Sequence, residues 1–136
     1  SSDVCSSDLE ERLHIVMGRL MAFVKIDEIL EWCRKLELRM CFDISHTRLT
    51  CNHFGIDFYD FAERIAPISA HLHIGDAQGL NGEGLQIGAG DIDFARLGEI
   101  LRKGCPKASF IPEIWQGHKN GGEGFWIALE RLEGTL

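Results

Sequence analysis

Three potential metal ligands are spaced along the sequence at intervals of about one strand-and-helix unit. Asp43 and His73 are 30 residues apart, and His73 and Glu113 are 40 residues apart, whereas one βα unit takes about 30 residues or more. Two carboxylates and one imidazole form an oxygen and nitrogen ligand set that suits Mn²⁺, Mg²⁺, Co²⁺ or Zn²⁺. These residues therefore predict a divalent-metal site, and the sequence leaves the identity of the metal open.

The elements that would position these ligands alternate between helix and strand. Helical spacing of apolar residues predicts helices over residues 9–24, 27–36, 57–65, 93–103 and 125–132, and short apolar runs predict strands over 39–43, 69–74 and 108–114. This alternation predicts parallel strands joined by right-handed crossovers. Because the carboxyl ends of parallel strands meet at one edge of a sheet, we expect the three ligands to converge there.

Loops are predicted in three places. A functional loop is expected directly after Asp43, and residues 75–90 hold six of the 15 glycines in the chain. Such a glycine-rich loop adopts positive φ angles or approaches a ligand closely. The segment Gly117–Gly124 opens onto a helix N-terminus, and its pattern fits an anion site and a solvated turn equally.

Several other residues are assigned by their local pattern. Asp91 and Asp93 precede an apolar helix and are predicted to cap it. His71 shares a strand face with His73 and is predicted to be interior or hydrogen-bonded rather than a ligand. Trp32 and Trp126 lie in helical patterns and are predicted to pack, whereas Trp115 follows Glu113 into the last loop and is predicted to form an apolar wall for a bound ligand.

Length and composition exclude several classes of protein. The 136 residues include 45% hydrophobic residues and carry a net charge of −7, which disfavours a disordered chain and a basic nucleic-acid clamp. No apolar run approaches the roughly 18 residues of a membrane span. Five cysteines without a Cys-x-x-Cys pair favour reduced thiols and a cytoplasmic protein. A closed eight-stranded α/β barrel needs about 250 residues, which is well beyond this length.

The N-terminus differs from the rest of the chain. Residues 1–9 repeat Ser-Ser-Asp around Val4 and Cys5 and are predicted to be a non-native or disordered segment. They are similar to a translated sequencing-adapter string, and a disordered native terminus is the alternative. Residues 10–136 are predicted to be a single structural unit that belongs to a longer domain.

Four ordered motifs together resemble the second half of the xylose isomerase-like TIM barrel superfamily. They are Asp43-Ile44-Ser45-His46, His71 to Asp76, Gly88 to Phe94, and Pro112-Glu113. The resemblance implies a partial (β/α)₈ barrel in which Asp43, His73 and Glu113 hold a divalent metal. It also implies that His46 and Asp76 hold substrate or support the ligands.

The sequence departs from the superfamily pattern in two places. No glutamate precedes Asp43 at the position of the expected fourth ligand, which suggests a truncated reading frame and an inactive fragment. The loop often written Gly-Glu-Gly in the superfamily is Gly88-Ala89-Gly90 here.

The resemblance implies a sugar or sugar-phosphate isomerase or epimerase that acts through a metal-stabilised enediolate, with Glu113 as one of two proton-transferring glutamates. An apurinic-site endonuclease of the same superfamily is a second hypothesis, which the net charge of −7 disfavours. A third is a non-catalytic sugar-binding or interaction module, since the segments 41–46 and 111–120 resemble a barrel module of some N-acetylneuraminate synthase-like proteins. In that case a synthase domain would be fused upstream.

Overall fold

The computed structural model describes residues 25–136. The strands are β1 (Met40–Asp43), β2 (Ser69–Ile74), β3 (Asp76–Gln78), β4 (Gly82–Leu85) and β5 (Ser109–Pro112). The α-helices are α1 (Ile26–Lys35), α2 (Ile44–Phe54), α3 (Phe58–Ile65), α4 (Phe94–Gly104) and α5 (Lys119–Leu132), and Ala66–Ile68 form a 3₁₀ turn. The helix predicted over residues 9–24 lies outside the described residues. None of the described helices is both long and apolar enough to cross a membrane.

A parallel sheet with the strand order β1-β2-β5 organises the fold. Asp43 pairs with His73 in the register of β1 and β2, and His73 pairs with Ile111 in the register of β2 and β5. The three strands that lead to the predicted ligands are therefore parallel neighbours, as the alternating pattern predicts. The result is a mixed α/β fold consistent with part of a TIM barrel, in which the described strands do not close into a barrel.

The hydrophobic core lies between the sheet and the helices. Phe42 from β1, Leu72 and Ile74 from β2, and Leu97 from α4 are at most 3% exposed. The helical spacing of apolar residues predicts α1, α3 and α4 to within about two residues at each end, which is the usual uncertainty of helix boundaries. Burial of these apolar faces is the main force that holds the helices against the sheet.

Helix α2 replaces the functional loop that was predicted after Asp43, and this prediction was wrong. The buried residues of α2, which include Ile44, Leu49 and Cys51, do not form one narrow stripe, because the helix contacts β1, β2, β3, β4 and α3. A helix that is covered on several sides lacks the simple amphipathic period. Its ends nevertheless carry ordinary signals, namely the cap at Asp43 and Gly55 in the left-handed conformation with φ 64°.

The predicted glycine-rich loop over residues 75–90 contains an antiparallel hairpin. Strands β3 and β4 pair through Asp76 with Leu85 and Gln78 with Gly82. Gly79, Gly84 and Gly88 adopt positive φ, which confirms the conformational prediction for this segment. The hairpin itself was not predicted, because its short strands lack an alternating apolar pattern.

Trp32 and Trp126 do not pack into the core, and this prediction was also wrong. Their side chains are 50% and 68% exposed. In α1 the buried residue is Cys33, and in α5 the buried residues are Ala128 and Leu132, so both indoles lie on other faces of their helices. The Lys35 ammonium lies 5.5 Å from the ring centroid of Trp32.

The two aspartates before α4 have different roles. The Asp93 carboxylate accepts hydrogen bonds from the backbone N–H groups of Ala95 and Arg96, at 3.0 and 3.1 Å, and therefore caps the helix as predicted. Asp91 was also predicted to cap, but its carboxylate accepts a hydrogen bond from Arg48 Nε at 2.8 Å. Asp91 thus links the segment before α4 to α2.

We expect Asp93→Ala to lower the free energy of unfolding by about 1 kcal/mol, because two N–H groups at the start of α4 lose their acceptor. Asp93→Asn keeps an acceptor oxygen and is the matched control, with a loss of no more than a few tenths of a kcal/mol. Chemical denaturation measures both values. Equal losses in the two variants would contradict a capping role.

Candidate metal and substrate site

Asp43 supplies a carboxylate at the end of β1 that also starts the next helix. Its Oδ1 accepts a hydrogen bond from the backbone N–H of His46 at 2.9 Å and so caps α2. The second oxygen, Oδ2, lies 2.7 Å from Nδ1 of His46. The side chain is 7% exposed. The cap fixes the rotation of the carboxylate. Oδ1 therefore bonds to the helix backbone, and Oδ2 faces His46 and His73.

His73 at the end of β2 lies between the two predicted carboxylate ligands. Its Nδ1 is 2.9 Å from Glu113 Oε2 and 3.9 Å from Asp43 Oδ2. Ligand atoms of all three residues lie within 4.8 Å of one another. The parallel register therefore brings together the three side chains that the sequence predicts as metal ligands.

Glu113 lies one residue beyond β5 and is held by its own backbone. Its N–H donates to the carbonyl of Ile74 at 2.8 Å, which continues the pairing with β2. A Cβ atom on Gly75 would be 2.5 Å from the backbone oxygen of Glu113. Glycine at position 75 therefore permits the close approach that brings Glu113 up to His73.

His46 lies in the first turn of α2 between two carboxylates. Its Nδ1 contacts Asp43, and its Nε2 is 3.3 Å from Glu83 Oε2. The hydrogen bond that His46 Nδ1 donates to the Asp43 carboxylate is the main cause that raises the pKa of His46 to about 9. Burial lowers this pKa, and the negative charges of Asp43, Glu83 and Glu113 raise it further. The carboxylates that face both ring nitrogens therefore favour the protonated form of His46.

Glu83 belongs to the site and was not predicted from the sequence. It lies in β4 at the point where the hairpin folds back towards α2, and its side chain is 43% exposed. The sequence feature that could have marked Glu83 is its position between two glycines, in Gly82-Glu83-Gly84. Its proximity to His46 depends on how the hairpin folds back, which local sequence patterns do not encode.

Asp76 is buried and makes its contacts with backbone amides. Its oxygens accept hydrogen bonds of 2.8 to 3.2 Å from the N–H groups of Ala77, Gly88, Gly90 and Ile92, and the side chain is fully buried. A Cβ atom on Gly90 would clash with this carboxylate. Asp76 therefore holds the 88–92 segment through these hydrogen bonds. Its predicted contact with a substrate stays a prediction.

Trp115 stands beside the site with 73% of its surface exposed. Its backbone N–H donates to the carbonyl of Gly84 at 2.7 Å. A groove of about 400 Å³ runs between the hairpin and the loop after Glu113, and Gly84, Trp115 and Asn120 are among its lining residues. This volume lies within the usual range for small-molecule sites.

The Gly117–Gly124 segment forms a sharply bent turn. Asn120, Gly121 and Gly122 adopt positive φ angles of 53°, 72° and 86°, so they interrupt the helical geometry at the start of α5. The Asn120 side chain donates to Glu123 Oε2 at 2.9 Å. A carboxylate therefore occupies this turn, and the predicted choice between an anion site and a solvated turn stays open.

Residues 12–133 match the family model described as the xylose isomerase-like TIM barrel. The chain therefore belongs to this family, which includes sugar isomerases and epimerases as well as apurinic-endonuclease-like enzymes. No curated protein matches the chain. The narrower resemblance to a module of N-acetylneuraminate synthase-like proteins stays a prediction.

Divalent metals are common in this family, and the described residues fit one. Two ligand atoms at 2.0–2.2 Å from one ion are at most roughly 4.4 Å apart. The observed limit of 4.8 Å among Asp43, His73 and Glu113 thus requires only small side-chain movements. Glu83 adds further negative charge beside the group, which favours a cation over an anion.

We expect Asp76→Asn to lower the free energy of unfolding by about 3 kcal/mol. The amide nitrogen of asparagine would face buried N–H donors that now share a carboxylate, and a buried donor without an acceptor costs about 1–3 kcal/mol. Chemical denaturation measures the loss. Asp91→Asn is the control, because it changes an exposed ion pair that is worth about 1 kcal/mol or less. Similar losses in the two variants would contradict the role given to Asp76.

Proposed function

We propose that this chain forms the metal-binding part of a sugar or sugar-phosphate isomerase or epimerase. The observation that carries the proposal is the convergence of Asp43, His73 and Glu113 at the carboxyl edge of the parallel sheet. In α/β barrels this edge is where active sites lie. The donor set fits a divalent cation such as Mn²⁺, Mg²⁺, Co²⁺ or Zn²⁺.

The two carboxylates and the imidazole would hold the cation from three sides. Asp43 is the most constrained ligand, because its other oxygen caps α2. Glu113 is the most accessible, with 47% of its side chain exposed. When bound, the cation supplies Lewis-acid stabilisation of negative charge on adjacent hydroxyl and carbonyl oxygens of a sugar.

Proton transfer at carbon requires a base beside the bound sugar, and Glu113 is our candidate. Its exposed carboxylate reaches the open side of the site, whereas the Asp43 carboxylate is buried. Epimerisation also uses a second acid or base on the opposite side of the carbon. Glu83 is the other carboxylate that the described residues place beside His46, and we propose it for this second position.

The groove lined by Gly84, Ile114 and Trp115, which begins one residue beyond Glu113, would hold part of the sugar. The exposed indole of Trp115 offers an apolar face for a sugar ring. His46, whose two ring nitrogens face Asp43 and Glu83, would hold these carboxylates in position. Asp76 would act indirectly by fixing the 88–92 segment.

The phosphodiesterase alternative is disfavoured by charge. The chain has a net charge of −7, which repels an extended phosphate backbone such as that of DNA. A non-catalytic sugar-binding module of a larger synthase-like protein is the remaining alternative, and assays of turnover separate it from an enzyme.

We expect Glu113→Gln to weaken Mn²⁺ binding to this chain by about 10-fold to 100-fold, because it removes one charged ligand. Titration calorimetry measures the dissociation constant. Glu99→Gln on the exposed surface of α4 is the control with the same chemical change, and its affinity should equal that of the unmodified chain. Equal affinity in all three proteins would remove Glu113 from the metal site.

We propose that turnover requires barrel strands beyond this chain, so activity is assayed in the full-length gene product. Chelator should abolish isomerase or epimerase activity toward sugars or sugar phosphates, and Mn²⁺, Mg²⁺ or Co²⁺ should restore it. Glu113→Gln should lower kcat by about 10²-fold to 10⁴-fold with an unchanged circular dichroism spectrum. Unaltered turnover in this variant would refute the assigned role, and sugar binding without turnover would favour the binding module.

A further inference from the structure

Beneath the carboxylate ligands lies a second group of metal-binding side chains, Cys41, His71 and His73. Their ligand atoms all lie within 4.8 Å of one another, and all three side chains are partly buried. We propose that this sulfur and nitrogen group is a binding site for a thiophilic divalent ion such as Zn²⁺, distinct from the oxygen-rich group above it. We call Cys41, His71 and His73 the inner group.

The parallel register explains why the inner group forms. Cys41 of β1 pairs directly with His71 of β2, so their side chains leave the same face of the sheet. His73 follows two residues later on the same strand and returns to that face. The rings of His71 and His73 are 5.4 Å apart at an interplanar angle of 90°. The group is thus fixed by strand pairing and does not depend on a flexible loop.

His71 is hydrogen-bonded as the sequence predicts, whereas its place in the inner group departs from the prediction that it is not a ligand. Its Nδ1 lies 2.8 Å from the hydroxyl of Ser109 on β5, which is its partner in the β2–β5 register. Metal-binding histidines generally make such a bond through the ring nitrogen that does not hold the ion, and this bond fixes the direction of the ring. The inner group therefore has a support of the kind found around metal ligands.

The ligand types select the ion. One thiolate and two imidazoles suit Zn²⁺ and similar ions, whereas Mg²⁺ and Mn²⁺ prefer oxygen ligands. Zinc bonds of about 2.3 Å to sulfur and 2.0–2.1 Å to nitrogen place neighbouring ligands roughly 3.5 Å apart. The ligand atoms of the inner group, which are at most 4.8 Å apart, need to approach one another by no more than roughly 1.3 Å to reach this arrangement. Three protein ligands leave the fourth tetrahedral position to water, and the Cys41 proton passes to solvent on binding.

His73 belongs to both groups, so the two sites compete. An ion in the inner group would draw the His73 ring towards Cys41 and away from Asp43 and Glu113. Zn²⁺ in the inner group should therefore weaken Mn²⁺ binding by Asp43, His73 and Glu113. This competition rests on the proposed function, whereas binding to the inner group does not.

Cobalt(II) titration of the chain tests the inner group, because a thiolate bound to Co²⁺ gives a near-ultraviolet charge-transfer band. The band should appear in the unmodified chain and in Glu113→Gln. It should be lost in Cys41→Ser, and His71→Asn should weaken Co²⁺ binding at least about tenfold. Cys105→Ser, which alters a buried cysteine outside the inner group, is the matched control and should keep the band.

The outcomes separate the two sites. Absence of the band in the unmodified chain, or its persistence in a Cys41→Ser variant with an unchanged circular dichroism spectrum, would overturn the proposal. Cys5 remains in both variants, so a band that it produced would survive Cys41→Ser. If the unmodified chain gives the cobalt band but does not bind Mn²⁺, the result would count against the proposed function and not against the inner group.

Discussion

Parallel pairing of β1, β2 and β5 is the constraint on which the rest of the site depends. The register aligns Asp43 with His73 and His73 with Ile111. The hydrogen bond from the Glu113 N–H to the Ile74 carbonyl extends the pairing of β2 and β5 by one residue. Because side chains alternate between the two faces of a strand, a shift by one residue would turn these ligands away from each other. A side chain at position 75 would clash with the backbone oxygen of Glu113, so glycine at this position is required for the alignment.

The parts of the structure that sequence patterns predict are those set by local periodicity. The three sheet strands and helices α1, α3 and α4 follow apolar patterns that lie in a single segment of chain. Asp43, His73 and Glu113 could be selected because their types suit a metal and their spacing matches successive βα units. The chemistry of each residue and the topology of the sheet were sufficient for that selection.

What could not be predicted depends on tertiary contact. Helix α2 is covered on several sides, so its apolar residues do not repeat with a clear period. The β3–β4 hairpin has strands too short for a visible alternation, and it alone brings Glu83 to His46. Asp91 and Asp93 look equivalent in sequence. In the fold, Arg48 lies beside Asp91 and forms an ion pair with it, whereas Asp93 caps the helix.

The hairpin is tied to both of its neighbours, and this has a consequence for recognition. Asn52 and Ser45 of α2 hydrogen-bond to Gly79 and Gly84 respectively, and Gly84 also accepts from Trp115. The hairpin, which forms one wall of the groove, is therefore held in place by hydrogen bonds to its own main chain. When a ligand enters the groove, this wall loses little conformational entropy, so the affinity would be governed chiefly by how well the ligand replaces the water that solvates the groove.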